Sequence, residues 1–98
     1  QLNIAKGYDH CFVLNKGQKI AAELSELESG RLIQIFTDQP GIQLYTGNHL
    51  KGVFSKNQGL CLETQHFPNS PNVNSFPTTL LKSNTNYYSK TSYHFKLI

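Results

Sequence analysis

The strongest constraint on the fold is a two-residue alternation of side chains in the last part of the sequence. From residue 87 onward, the odd positions read Tyr, Ser, Thr, Tyr, Phe and Leu, and the even positions include two lysines and a histidine. Successive side chains of an extended strand point to opposite faces, so this pattern predicts a half-buried β-strand. Its aromatic and β-branched residues favour a strand as well.

The same period recurs along most of the chain, and helix signals are scarce. Ile20, Ala22 and Leu24 alternate with other residues, a turn is expected at residues 28–30 (ESG), and Arg31–Thr37 should return as a hairpin partner. Further strands are expected at residues 42–46, 53–54, 59–64 and 78–82, with an ordered, proline-rich loop at 67–77. The one helix candidate, residues 21–27, is too short to be stable alone. Short strands separated by turns predict an all-β sandwich or barrel.

Length and composition exclude several classes of protein. The 98 residues make one small domain at most, and 38% hydrophobic with 15% charged residues does not indicate disorder. No apolar run approaches the roughly 20 residues of a membrane span. The net charge of +3 comes from scattered lysines and one arginine, so no nucleic-acid partner is expected. Two cysteines without metal-ligand spacing predict reduced thiols and a cytoplasmic protein, with a single disulfide as the alternative.

Residues 59–68 (GLCLETQHFP) hold the most informative polar side chain. Alternation places Glu63 on the same strand face as Cys61. A carboxylate beside apolar neighbours is a candidate general base, because desolvation disfavours its charged form. A glutamate on a solvated strand face is the commoner arrangement, and the residues alone leave both interpretations open.

Two further positions are candidates for binding a polar ligand. Asp9 precedes His10, and a carboxylate can orient an imidazole, but neighbours on a strand point to opposite faces. A turn aspartate beside a packed or surface histidine is the simpler alternative. Gln43 lies in an apolar strand, where its amide can bond a sugar hydroxyl or merely meet solvent. The histidines lack metal-ligand spacing, so no metal site is expected.

Four segments in order resemble the aldose 1-epimerases, the galactose mutarotase family. They are residues 7–14 (GYDHCFVL), 29–31 (SGR), 40–48 (PGIQLYTGN) and 59–72 (GLCLETQHFPNSPN). The dipeptide at 76–77 (FP) and the closing alternating strand agree with the family as well. The resemblance implies an antiparallel β-sandwich of the galactose mutarotase-like type, of which residues 1–98 form the C-terminal part of a single domain.

The resemblance also implies roles for three residues. Glu63 matches the family's general base, which takes the proton from the anomeric hydroxyl of an aldohexose, whereas Asp9 and Gln43 match residues that bind sugar hydroxyls. Ring opening, rotation and reclosure then give the other anomer of a hexose such as galactose or glucose, with no metal or organic cofactor. The family's acid is a histidine in a preceding motif, and none of the four histidines here lies in a matching motif. Asn69 and Asn84 depart from the family pattern without touching this chemistry.

Two other interpretations stand beside an enzyme segment, namely a non-catalytic carbohydrate-binding β-module and an inactive fragment. Without the acid, this chain is expected to be inactive on its own. Part of a sandwich exposes a sheet edge and a core face that its missing partner would cover. We therefore expect the isolated chain to be marginally stable and to self-associate.

Overall fold

The computed structural model describes residues 2–98, and of Leu2 and Ala5 only the backbone. Six strands dominate the described chain. They are β1 (Asp9–Val13), β2 (Ala22–Glu26), β3 (Arg31–Thr37), β4 (Gly41–Tyr45), β5 (Cys61–Gln65) and β6 (Thr91–Leu97). The helical elements are a single turn, α1 (Leu2–Ala5), and a 3₁₀ turn (Ser70–Asn72). None of the described helices has the length and apolar character needed to cross a membrane.

The strands form two antiparallel three-stranded sheets, which confirms the all-β prediction. One sheet has the order β1-β4-β5, and the other has the order β2-β3-β6. The predicted hairpin is present, because β2 pairs with β3 from Ala22 opposite Ile35 to Glu26 opposite Arg31. The closing strand pairs with β3 along its whole length, from Arg31 opposite Leu97 to Thr37 opposite Thr91.

The hairpin turn is held by the side chain that precedes it. The Glu26 carboxylate accepts the backbone N–H groups of Glu28 at 2.8 Å and Ser29 at 2.7 Å. The Ser29 hydroxyl, followed by these two N–H groups, holds the pKa of Glu26 below its ordinary value. The turn signal at residues 28–30 therefore works through hydrogen bonds to an ionised carboxylate.

The two sheets meet at a corner through three threonine hydroxyls. Thr91 Oγ1 lies 2.8 Å from Thr64 Oγ1 of the first sheet and 2.9 Å from Thr37 Oγ1 on the neighbouring strand. Close by, Asp38 accepts the backbone N–H of Lys90 at 2.9 Å and the Ser89 hydroxyl at 3.0 Å. Partial desolvation raises the pKa of Asp38, but these hydrogen bonds outweigh it, so the pKa lies below its ordinary value.

The core of the described chain is small. Ile35, at 0% exposure, and Ile42, at 5%, are its buried large hydrophobic residues. The accessible surface is 7858 Å², against about 5,700 Å² for a compact protein of this mass. The radius of gyration is 16.0 Å, against about 13 Å for a compact chain of this length. The chain therefore exposes to water apolar surface that a compact domain of this size would bury.

Part of this apolar surface lies on one side of the β2-β3-β6 sheet. Antiparallel partners share a face, so the residues opposite one another in β2, β3 and β6 extend the face that contains the buried Ile35. Phe95 is paired with the apolar Ile33 of β3 on this face, yet its side chain is 79% exposed. We call this surface the uncovered face. Its exposed apolar members are Leu24, Tyr93, Phe95 and Leu97, and the exposed Glu26 and Arg31 lie at one end of it.

Two expectations about local structure are wrong. Residues 53–54 and 78–82 are not strands, and the structure places them in turns and irregular loops. Leu80 is 75% exposed and has no neighbouring strand to pair with in the described chain. The 67–77 loop is ordered as expected but contains the 3₁₀ turn, and the first helical turn carries no signal that we identified.

Candidate functional site

The three predicted site residues lie on one face of the β1-β4-β5 sheet. Gln43 in β4 is opposite Cys11 in β1 and opposite Glu63 in β5. Asp9 lies two residues before Cys11, so it shares that face as well. We call this surface the polar face, and its side chains are Asp9, Cys11, Gln43, Tyr45, Cys61, Glu63 and Gln65.

Asp9 and Gln43 are directly bonded across the strands. The Gln43 Nε2 group donates to Asp9 Oδ1 at 2.7 Å. The other amide atom, Gln43 Oε1, is buried and accepts no hydrogen bond from the described residues. A buried carbonyl oxygen without a donor costs free energy, so a donor that reached it would be stabilised. A hydroxyl group is a donor of the required kind.

Glu63 stands opposite Gln43 in the register, with its side chain exposed. No described residue donates a hydrogen bond to its carboxylate. Of the two interpretations of Glu63, this chain has the solvated strand face, because the polar face lies open and Cys61 on the same strand face is exposed as well. In this state, the site holds an exposed carboxylate beside a half-buried amide.

Gln65 is a further member of the polar face, which strand alternation predicts but to which the sequence interpretation assigned no role. Its Nε2 group donates to Cys11 Sγ at 3.8 Å, and both side chains are half-buried. Gln65 lies two positions after Glu63, so the same two-residue period that selected Glu63 also indicates Gln65. The polar face therefore carries a second amide that can donate to a ligand.

The Asp9 carboxylate does not orient the neighbouring imidazole. The backbone N–H of Asp9 donates to His10 Nδ1 at 3.0 Å, while the two side chains lie on opposite faces of β1. The His10 ring contacts the edge of the Tyr8 ring, with 5.7 Å between the ring centres. Of the simpler alternative, the surface histidine is found, since His10 is exposed, but Asp9 lies in strand β1 and not in a turn.

The remaining histidines are dispersed. His66 bonds the side chain of Gln39 at 2.9 Å, and the His94 ring lies 4.5 Å from an aromatic ring of β3. The His49 ring stacks on Tyr45, with 6.5 Å between the ring centres. Within residues 2–98, no three His, Cys, Asp or Glu side chains converge on one point as a metal site requires.

An apolar cavity of about 380 Å³ adjoins one end of the polar face. Tyr45 and Cys61 belong to both the cavity wall and the polar face, and Leu50 and Phe54 supply apolar surface from the loop before β5. Ligand sites commonly combine such apolar walls with a few convergent polar groups. The Asp9–Gln43–Glu63 row and this cavity together have that composition.

Comparison with known proteins identifies related sequences over almost the whole chain. A family model described as aldose 1-epimerase matches residues 1–94. Galactose mutarotases of Mus musculus and Sus scrofa are each 41% identical over 101 residues, which cover 93% of this chain and 30% of each relative. The aldose 1-epimerase of Escherichia coli is 35% identical over 102 residues, which cover 92% of this chain and 30% of that protein. The chain thus spans about 30% of the length of these relatives.

Proposed function

Because the chain belongs to the aldose 1-epimerase family, we propose that it is the C-terminal part of a single-domain enzyme that interconverts the α- and β-anomers of aldohexoses such as galactose and glucose. The observation that carries this proposal is the row of Asp9, Gln43 and Glu63 on three adjacent strands of one face. Strand register supports a joint role for these residues independently of the sequence similarity.

Anomer exchange needs a base and an acid that act on the same sugar ring. The base removes the proton of the anomeric hydroxyl, and the acid protonates the ring oxygen as the C1–O5 bond breaks. In our proposal Glu63 is the base, since its exposed carboxylate can reach a ligand on the polar face. After rotation about C1–C2, the C5 hydroxyl attacks the aldehyde carbon and gives its proton to the conjugate base of the acid, while protonated Glu63 returns its proton to the C1 oxygen. Both groups regain their starting protonation, so the cycle balances without a metal or an organic cofactor.

Asp9 and Gln43 then bind sugar hydroxyls and fix the orientation of the ring. Their direct hydrogen bond at 2.7 Å holds an acceptor and a donor group side by side, as a pair of vicinal hydroxyls requires. The unpartnered Gln43 Oε1 supports the same role, because a bound hydroxyl would satisfy it.

We infer that the acid comes from a part of the enzyme outside these residues, and that this chain alone is inactive. A non-catalytic carbohydrate-binding module is the second candidate, favoured because Asp9 and Gln43 are paired while no described imidazole faces Glu63. We further infer a cytoplasmic location from the free thiols of Cys11 and Cys61.

We also propose that the isolated chain self-associates through the uncovered face. Its exposed aromatic and aliphatic side chains form a patch on an otherwise regular sheet, and monomeric soluble proteins rarely leave such patches in water. A second copy presents the same apolar surface, so two copies can cover each other about a two-fold axis. The partners we infer are therefore an aldohexose and a second copy, with no nucleic acid and no membrane.

The test combines a galactose titration with a measurement of anomer exchange. We expect backbone NMR shifts of the polar face to move with added galactose, and freshly dissolved α-galactose to mutarotate no faster with the chain than in buffer. Asp9→Ala should abolish the titration, whereas Glu23→Gln, which changes an exposed mid-strand glutamate of the other sheet, should not alter it. Exchange above buffer that disappears in Glu63→Gln would show a complete active site in this chain. If the chain shows neither binding nor exchange, the inactive-fragment interpretation is favoured.

A further inference from the structure

The backbone immediately before Asp9 is fastened to the turn that follows β4. The Tyr8 N–H donates to Thr46 Oγ1 at 2.8 Å, and the Thr46 N–H donates to the Tyr8 carbonyl oxygen at 3.1 Å. These two bonds continue the β1-β4 pairing one step beyond Asp9, which is opposite Tyr45. The peptide that carries the Asp9 side chain is therefore fixed from its N-terminal side.

Asn48 completes this attachment with its side-chain amide. Its Nδ2 group donates to the Tyr8 carbonyl oxygen at 2.8 Å, and its Oδ1 accepts from the Thr46 hydroxyl at 2.7 Å. The amide thus bridges the two residues whose backbones hold the start of β1. Asn48 is half-buried, so water competes for these bonds less than at the surface.

The backbone at Gly7 is shaped to accept this amide. Gly7 has φ +135°, a conformation that side chains rarely adopt, and a Cβ there would lie 1.7 Å from Asn48 Oδ1. The backbone before Tyr8 therefore approaches the amide more closely than any other residue type would allow. This close approach places Asn48 against the peptide before Asp9.

A second asparagine connects the same cluster to the loop before β5. Asn57 Nδ2 donates to the Thr46 carbonyl oxygen at 2.6 Å and to Asn48 Oδ1 at 3.2 Å. The cluster of Thr46, Asn48 and Asn57 therefore joins the strand that bears Asp9 to the segment that leads into Glu63's strand. Its hydrogen bonds lie at one end of the polar face.

We propose that Asn48 is a positioning residue for Asp9. It acts through the Tyr8 carbonyl, one peptide before Asp9, and sets the direction in which the Asp9 carboxylate meets the Gln43 amide. The inference rests on the proposed function, because this alignment matters for activity only where Asp9 and Gln43 bind a sugar. Its geometric part is testable without any ligand.

The experiment measures hydrogen exchange of the Gln43 side-chain NH₂ group by NMR in the full chain. In Asn48→Ala we expect this exchange to become between about twofold and tenfold faster, the range for loss of one hydrogen bond, while the backbone amides of β4 stay protected. Asn72→Ala is the matched control, because the Asn72 amide bonds only locally to Asn69 in the 3₁₀ turn. It should leave the Gln43 exchange unchanged.

Thr46 supplies a second pair of variants should Asn48→Ala not fold. Thr46→Ser keeps the hydroxyl and should preserve the slow Gln43 exchange, whereas Thr46→Val removes it and should accelerate the exchange. Unchanged Gln43 exchange in Asn48→Ala and Thr46→Val would overturn the inference. The inference would also be overturned if all backbone amides of β1 and β4 lost protection together with the Gln43 side chain. That result would give Asn48 a merely structural role.

A galactose titration of the same variants separates this inference from the proposed function. We expect the dissociation constant to rise in Asn48→Ala by the factor seen in the exchange measurement. If the unmodified chain binds no galactose, the proposed sugar site fails, and the Gln43 exchange alone decides whether Asn48 aligns Asp9.

Discussion

Replacing Phe95 with alanine should destabilise this protein mainly when two copies are associated. Phe95 is 79% exposed, so a single chain buries only about one fifth of a side chain of roughly 200 Å². At about 25 cal/mol per Å², that burial is worth about 1 kcal/mol. Ile35 is 0% exposed, and removing such a side chain from a core costs about 2–5 kcal/mol at any protein concentration.

The assay is urea unfolding followed by far-ultraviolet circular dichroism at two protein concentrations about a hundredfold apart. If copies associate, the apparent free energy of unfolding of the unmodified chain is higher at the higher protein concentration, by up to about 2.7 kcal/mol. Phe95→Ala should lose most of this rise, and Ile35→Ala should be destabilised equally at both concentrations. Leu80→Ala is the matched control, since Leu80 is 75% exposed but lies outside both sheets.

Two results would refute this reasoning in different ways. An unfolding free energy independent of concentration, together with a monomeric mass, would remove the proposed self-association. A cost for Phe95→Ala equal to that of Ile35→Ala at the lower concentration would mean that the uncovered face is buried within a single chain. The buried core of a single chain would then extend beyond Ile35 and Ile42.

Three further perturbations test individual hydrogen bonds and one backbone conformation. The pKa of Asp38 lies below its ordinary value of 3.8, so its ionised form stabilises the fold above that value. This contribution disappears as pH falls through the lowered pKa, and thermal melts of Asp38→Asn should lack that part of the acid dependence. Gly7→Ala should destabilise the fold well beyond the roughly 1 kcal/mol expected for Gly17→Ala in urea unfolding, because a Cβ at Gly7 overlaps the Asn48 side chain whereas a Cβ at Gly17 meets nothing within 4 Å. Thr91→Val should cost about 1–3 kcal/mol in the same assay, because it leaves the Thr64 hydroxyl without a partner and removes one of the two partners of the Thr37 hydroxyl, which keeps the Gln39 N–H. Costs below about 0.5 kcal/mol would contradict the shared role of that hydroxyl.

The strands that could be predicted from sequence are those in which alternation and pairing agree. In β6 the apolar side chains of Tyr93, Phe95 and Leu97 fall on the face that continues from β3, so local pattern and register select the same structure. Residues 78–82 contain strand-forming threonine and leucine but no clear alternation. A strand needs a neighbour to bond its backbone, and the described chain provides none there.

The site residues were predictable singly, but their arrangement was not. Alternation alone assigned Glu63 to a face, whereas its position opposite Gln43 depends on the register between β4 and β5. Register depends on pairing between strands separated by a loop of more than a dozen residues, which a local pattern does not encode. For the same reason the contact of Asn48 with the peptide before Asp9 appears only in the structure.

In the proposed function Glu63 is a base without an acid beside it, and the positions of the histidines agree with this proposal. His10 lies between two residues of the polar face and so points away from it, while His66 and His94 contact partners elsewhere. His49 meets only the edge of that face, through its stacking on a tyrosine ring. A general acid has to reach the sugar from the side opposite Glu63, and among residues 2–98 no imidazole stands there. A polypeptide segment that covered the polar face would supply the acid. It would also supply the desolvation that makes an exposed carboxylate an effective base. Under the proposed function, the exposure of Glu63 and the lack of a facing histidine among the described residues therefore have one explanation, namely a covering part of the site that residues 2–98 do not supply.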